Sequence, residues 1–300
     1  MMKINLEPGT YILAISGGVD SMTLLDLVFN QFSKNTQFNF VVAHFDHGIR
    51  PDSIIDRQLV ESVSKKYGFK FKFKRLELGI NTSEAKAREE RYRFLFEQLD
   101  KYQASAILTA HHKDDLIETA VFNVLRGTGR KGLTSLGNQT MILRPLLKFS
   151  KAQIISYATK NNLNWREDST NQDLKYSRNL IRQTLIEKFS ASNQAKLSSL
   201  IYKQNRVNKE LDGLIDQFLT NISDGITIDR QAINSLPEKL AAELIAEWLR
   251  KNNLRDFDKK TIQRILSGSR IGTSGSKYDV KHNYFVTVRK DQLALDVLER

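Results

Sequence analysis

Tyr11-Ile12-Leu13-Ala14-Ile15-Ser16-Gly17-Gly18-Val19-Asp20-Ser21 is the stretch that decides how this chain is read. An apolar run over 11–16 reads as a buried strand, and an amphipathic pattern over 21–32 reads as a helix. Between them, Gly17 and Gly18 permit a tight bend and bring backbone N–H groups close to an anion. The helix start adds the positive end of its dipole, and the Ser16 and Ser21 hydroxyls can donate to phosphate oxygens. Asp20 would repel phosphates unless it holds a Mg²⁺ that bridges to them. The loop is neither a Walker sequence, since the Lys-Ser/Thr ending is missing, nor GxGxxG. The bland alternative is an ordinary glycine-rich turn with a capping Asp or Ser.

Outward from this loop, apolar β-rich runs alternate with helical patterns. Strands are expected at 11–16, 38–46, 69–78, 104–110 and 141–145, and helices at 21–32, 54–67, 83–102 and 116–126. That alternation predicts a parallel, twisted α/β sheet with helices on both faces. The run at 69–78 alternates Phe with Lys (Phe69-Lys70-Phe71-Lys72-Phe73-Lys74) and belongs near a sheet edge. A glycine-rich basic connector at 127–137 is followed by helices at 151–161, 176–189 and 192–220. A break at 221–225 precedes helices at 238–251 and 259–267 and strands at 284–288 and 292–297, a smaller α+β module. The expected organisation is a catalytic domain over 1–190, a helical linker over 191–222 and a C-terminal domain over 223–300.

Composition bounds the function. The 300 residues contain no cysteine, which excludes disulfides, thiolate metal sites, iron–sulfur clusters and cysteine nucleophiles. No apolar run has the length of a membrane span and no leader is evident, so a soluble cytoplasmic protein is expected. The net charge is +12, and the basic excess is spread over both halves. A diffuse positive surface favours a polyanion such as nucleic acid, although a solubility surface has the same signature.

A second constellation follows the run at 104–110, in Thr109-Ala110-His111-His112-Lys113-Asp114-Asp115-Leu116-Ile117-Glu118-Thr119. These side chains emerge at the carboxyl edge of the sheet, where open α/β folds bind ligands. Asp114 and Glu118 stand four apart and Asp115 and Glu118 three apart, so they share a helix face. That face can hold Mg²⁺ or the ammonium of an amine. A helix cap with an acidic first turn accounts for the acids but leaves the two adjacent histidines unexplained. The run at 38–46 ends likewise in His44-Phe45-Asp46-His47-Gly48-Ile49-Arg50. His44 and Asp46 share one side of it, and His47 and Arg50 read slightly better as structural polar groups.

Taken in order, SGGVDS (16–21), HFDHGIR (44–50), AREERYRF (87–94), TAHHKDDLIET (109–119), LRGTGRKGL (125–133), LRPLL (143–147) and WREDSTNQDLKYSRNLIR (165–182) resemble the tRNA(Ile)-lysidine synthetase family. That family lies within the ATP-pyrophosphatase group with the adenine-nucleotide alpha-hydrolase-like fold. The match covers about the first 180 residues and departs at Leu116, where Gln is expected. The resemblance implies use of ATP and Mg²⁺ to adenylate C2 of the wobble cytidine of tRNA(Ile) with a CAU anticodon. Attack by the ε-amine of free L-lysine then gives lysidine, AMP and pyrophosphate. It places ATP on Ser16, Gly17, Gly18, Val19, Asp20, Ser21 and His44, and a metal contact on Asp20. Catalytic roles fall on Asp20, Arg91, His111, Asp115 and Arg178, and lysine binding on Asp115 and Glu118. His111 would position ATP or move a proton. Arg126, Arg130 and Lys131 would touch tRNA or close over ATP, or else belong to a solvated loop. Residues 223–300 would contact the tRNA body, and a dimer is compatible with the sequence.

Two enzyme classes compete. The tRNA 2-thiolases share the loop but generally need the cysteines this chain lacks. Ammonia-dependent synthetases share it too, without the 87–94 and 165–182 stretches. A non-catalytic binding protein with a relict loop is the third reading, opposed by the joint presence of Ser16, Asp20, Ser21, Asp115 and Glu118.

Overall fold

The structure, a computed structural model, describes residues 2–48, 53–76, 84–137, 140–166, 189–254, 257–281 and 283–298. The expected site residue Arg178 and the helix expected at 176–189 lie outside these, Phe189 apart. The chain divides into two compact units, 1–205 and 206–300.

In the first unit, β1 (Gly9–Ala14), β2 (Phe38–Asp46), β3 (Lys70–Arg75), β4 (Ala106–Leu108) and β5 (Ile142–Leu143) form one sheet in the order β3-β2-β1-β4-β5. Every pairing is parallel. The connecting helices are α1 (Val19–Phe32), α2 (Ser53–Lys66), α3 (Glu84–Lys101), α4 (Lys113–Leu125), the short α5 (Arg130–Leu133) and α6 (Lys151–Lys160). The Phe/Lys strand β3 is an outer strand, and Phe73 leaves its ring half exposed under the Arg57 guanidinium. The glycine-rich connector contains α5, which Asn123 holds by donating from its side-chain amide to the Gly132 carbonyl at 2.7 Å and the Ser135 hydroxyl at 2.9 Å.

Alternation along β1 divides the core between the two sheet faces. Tyr11, Leu13 and Ile15 pack with Leu24, Leu25 and Val28 of α1 and Ile154 of α6. Ile12 packs with Val41, Ala43 and Phe45 of β2 and with Phe94, Leu95 and Leu99 of α3. Residues 21–28 of α1 are all buried, so this helix is enclosed rather than amphipathic. The charge it encloses is Asp26, which accepts hydrogen bonds from Tyr67 Oη at 2.6 Å, Tyr157 Oη at 2.8 Å and Asn30 Nδ2 at 2.9 Å. Burial and these bonds raise both phenols, Tyr157 to about 12.

A long helix, α7 (Ala191–Ile222), runs across the division between the units. The second unit continues with β6 (Thr227–Asp229), α8 (Arg230–Asn234), α9 (Glu238–Lys251), α10 (Lys259–Ile271), β7 (Lys277–Lys281), β8 (Tyr284–Val288) and β9 (Gln292–Val297). Its sheet is antiparallel in the order β6-β9-β8-β7. Trp248 is buried at its centre, with Nε1 donating to the Gly225 carbonyl at 2.9 Å. Arg230 donates to the carbonyls of Ser269 (2.7 Å), Gly272 (2.8 Å) and Arg289 (3.1 Å), tying the end of α10 to the turn before β9. β6, β7 and α8 are absent from the sequence reading. Among the described residues, no helix is long and apolar enough to cross a membrane.

Candidate functional site

The chain leaves β1 for its neighbour β2 on one side and leaves β4 for its neighbour β5 on the other. Adjacent parallel strands whose connections diverge open a crevice at their carboxyl ends. Residues 15–18 emerge there from β1, and residues 109–112 from β4. The two segments singled out in the sequence therefore share one sheet edge.

The loop after β1 is fixed from several directions. Gly17 has φ +99°, a conformation that side-chain-bearing residues rarely adopt. Its carbonyl accepts from the Arg166 N–H at 3.1 Å. The Ser21 hydroxyl accepts from the N–H groups of Ser16 and Gly17, both at 3.2 Å, and donates to the Gly18 carbonyl at 2.9 Å. Two loop amides thus converge on one oxygen through long bonds, the local geometry of an anion nest. His44 is buried behind the loop, with Nδ1 2.9 Å from the Ile15 carbonyl; burial lowers its pKa. Asp46 receives the Gly48 N–H at 2.9 Å and the Ser53 hydroxyl at 3.0 Å, holding the turn after β2. Asp56 of α2 pairs with Arg166 Nε at 2.7 Å. Val19 and Asp20 form the first turn of α1.

Opposite the loop, the starts of α4 and α6 are joined. Lys113 N–H donates to the Phe149 carbonyl at 2.9 Å, and Lys151 N–H donates to Asp114 Oδ2 at 2.6 Å. His112 is the N-cap of α4, and its N–H donates to Asp115 Oδ2 at 2.9 Å. The cap contact is made by the backbone N–H, so it does not account for the imidazole of the second histidine. The expected single acidic face is divided: Asp114 anchors α6, Asp115 bonds to the cap, and Glu118 is buried one turn further along. Leu116, the departure from the family pattern, is buried with Ile117, Ala120 and Leu136 and forms core.

Lys151 Nζ bridges both oxygens of Asp20, at 2.7 and 2.8 Å. His112 Nε2 lies 3.8 Å from the same carboxylate. Among the described residues no cluster of three or more His, Asp or Glu side chains forms a metal cage. Magnesium ordinarily takes one or two carboxylates and completes its shell with phosphate and water, so Asp20 would fit it by giving up one of its two contacts with Lys151.

His111 sits among cations. Its Nδ1 is 2.9 Å from Thr109 Oγ1. Burial, followed by the nearby charges of Arg144, Arg91, Arg88 and His112, pushes its imidazole down to about 3. At neutral pH the ring is uncharged, which favours a positioning role over that of proton donor. Arg88 and Arg91 lie over the Tyr92 ring at 4.8 and 5.4 Å. Arg144 is itself buried. Arg126 is exposed against the Phe122 ring at 4.8 Å, and Arg130 and Lys131 lie in α5.

Sequence reasoning assigned no role to Arg144, Lys151, Arg166 or Asp56. Arg144 and Arg166 fall in stretches already quoted, LRPLL and WREDSTN, so a signal existed. Lys151 and Asp56 stand outside every motif.

Residues 2–189 match the model of the PP-loop domain family. A tRNA(Ile)-lysidine synthase of Thermotoga maritima is 40% identical over 189 residues, covering 60% of this chain and 45% of that protein. The enzyme of the same name from Francisella tularensis subsp. holarctica is 27% identical over 300 residues, covering 96% and 74%. That of Methylococcus capsulatus is 30% identical over 279 residues, covering 88% and 63%. The chain thus spans less than half of the first relative and 74% and 63% of the other two. Among solved structures, the U34-tRNA thiolase of Methanococcus maripaludis, with its 4Fe-4S cluster, shares the fold at TM-score 0.58 and 14% identity, covering 67% of this chain and 73% of that one. Strand order, loop and family model agree: the chain belongs to the PP-loop family of ATP-binding domains.

Proposed function

We propose that this chain is a tRNA(Ile)-lysidine synthetase. The observation that carries the reading is the convergence, at one sheet edge, of an anion nest at residues 16–21 and an acid-and-histidine segment at residues 109–118. One half suits the triphosphate of ATP and the other an amine. The curated relatives carrying the lysidine synthase name support the choice of amine and polynucleotide.

In the proposed reaction the C2 oxygen of cytidine 34, in a CAU anticodon, attacks the α-phosphorus of ATP and pyrophosphate leaves. The ε-ammonium of L-lysine gives up a proton to water, the free amine attacks C2, the C2–O bond breaks, and AMP leaves with that oxygen. The amides and hydroxyls of residues 16–21 orient the phosphates. Arg91 and Arg144, with Arg178 by family likeness, offset the charge that grows on the departing groups. His111, held neutral, accepts a hydrogen bond and positions its partner. Asp115 and Glu118 seat the lysine ammonium. Asp20 would hold Mg²⁺, which when bound neutralises phosphate charge.

The second unit and residues 126–131 supply cationic surface for the tRNA. Lys260, Arg264 and Arg270 are exposed along one side of α10, and Arg126 is exposed beside α5. Action in the cytoplasm follows from such a substrate. Sulfur transfer, the activity named for the structural neighbour, is opposed by the absence of cysteine from all 300 residues.

The test combines purified protein, ATP, Mg²⁺, labelled lysine and a CAU-anticodon tRNA transcript. Labelled tRNA and stoichiometric AMP are expected, with mass spectrometry locating lysine on the wobble nucleoside. Bound tRNA with intact ATP and no label would instead identify a binding protein with a relict loop.

A further inference from the structure

A loop that grips a triphosphate needs positive charge, and this one brings none of its own. It lacks the terminal lysine of a Walker loop, and no Lys or Arg occurs between Lys3 and Lys34. Asp20 adds a negative charge instead. The fold compensates from 131 positions away, through Lys151 at the first position of α6.

The placement is specific. The Lys151 backbone is held by Asp114 at 2.6 Å, and the same helix starts are tied by the Lys113–Phe149 bond at 2.9 Å. The anchor is therefore rigid, while the four-carbon stem can pivot. The ammonium has three donors, and Asp20 takes two of them, at 2.7 and 2.8 Å. The side chain is 39% exposed, so it reaches the cleft rather than the core. An ion pair this open adds little to folding. Its position at the mouth of the phosphate nest calls for another explanation.

We infer that Lys151 is a phosphate-binding residue, the cation omitted from the loop's own sequence, shared between Asp20 and the triphosphate oxygens of ATP. This rests on reading the cleft as the ATP site. Such a residue strengthens binding of ATP and of pyrophosphate but leaves adenosine untouched.

The experiment is calorimetric titration of the full chain with ATP, pyrophosphate and adenosine, with and without Mg²⁺, for the wild type, Lys151→Met, Lys151→Arg and the control Lys148→Met. Losing one charge-assisted contact should weaken ATP and pyrophosphate roughly tenfold to a hundredfold in Lys151→Met. Adenosine should change by less than about twofold, Lys151→Arg should recover most of the loss, and Lys148→Met should match the wild type. ATP affinity within about twofold of wild type in Lys151→Met would overturn the inference, as would equal losses for ATP and adenosine, which mark a structural role. If Lys151→Met does not fold, the Lys151→Arg and Lys151→Gln pair repeats the comparison. A wild type that binds neither ATP nor pyrophosphate removes the ATP reading and this inference together. A wild type that binds both, with an unaffected variant, removes this inference alone.

Discussion

Replacing His111 by Gln tests the electrostatics of the cleft. Burial comes first, then Arg144, Arg91, Arg88 and His112, in lowering this imidazole from 6.5 to about 3. The folded chain therefore leaves the ring uncharged in mild acid, while the unfolded chain protonates it near its ordinary value of about 6.5. A depressed folded value means that the contribution to stability is fully present above 6.5. It is lost as pH falls through the window between 6.5 and about 3. From pH 7 to pH 5, proton uptake by the unfolded chain alone amounts to about 2 kcal/mol, reduced somewhat by solvent at a half-buried ring. Urea unfolding at both pH values should show the wild type losing about 1–2 kcal/mol more than His111→Gln. His44, lowered by burial in the same direction, is present in both proteins and cancels. The ring resonances of His111 should show no protonation above pH 5. Equal losses in the two proteins, or a titration midpoint near 6.5, would refute the claim that three arginines and burial hold this ring neutral.

Three further outcomes follow from the packing. Asp26→Ala strips the acceptor from Tyr67, Tyr157 and Asn30; stranding buried donors should remove about 3 kcal/mol from urea stability, while the folded fraction keeps its ATP affinity. Asp115→Asn retains a polar group near the His112 N–H but deletes the charge, so KM for lysine should rise about tenfold or more with little change in melting; Asp115→Ala should in addition lose about 1 kcal/mol from the cap. Unchanged lysine kinetics in the Asn variant would reduce Asp115 to a helix cap. Gly268→Ala drives a methyl group into the Tyr278 ring; overpacking should cost the second unit about 1–3 kcal/mol in differential scanning calorimetry, with ATP binding by the first unit retained.

The parts of the fold that the sequence announces are those whose pattern is local. Residues 11–15 are apolar because β1 is central and covered on both faces, and the Phe/Lys alternation at 69–74 follows from β3 being an outer strand. β7 was legible in principle, since Lys277 and Asp279 are exposed and Val280 is buried. Three charged residues in its five positions mask that alternation in the sequence. β6 was not, because three residues carry no period. The site divides along the same line. Ser16 to Ser21 could be named because a phosphate nest is one continuous turn, and residues 109–119 because a strand end and a helix start adjoin.

Charge balance in the cleft obeys a different rule, because it is set by contacts between segments. Asp20 looks like an unopposed carboxylate in its own loop and is countered by Lys151. Asp114 looks like a free acid on α4 and proves to be the anchor of α6. His111 looks like an imidazole at its ordinary value and is held uncharged by burial and by Arg144, Arg91 and Arg88, one from beyond β5 and two from α3. In each case the residue type is legible in the sequence and its charge state or partner is not, because Coulomb terms at a few ångströms depend on neighbours the local sequence does not contain. A motif therefore locates such a site, while the distant residues that neutralise it determine which protonation states and ligands it accepts. Substitutions at Lys151 and Arg144 should for that reason alter ligand preference and pH response more than those at Val19, which lies inside the motif but brings no charge.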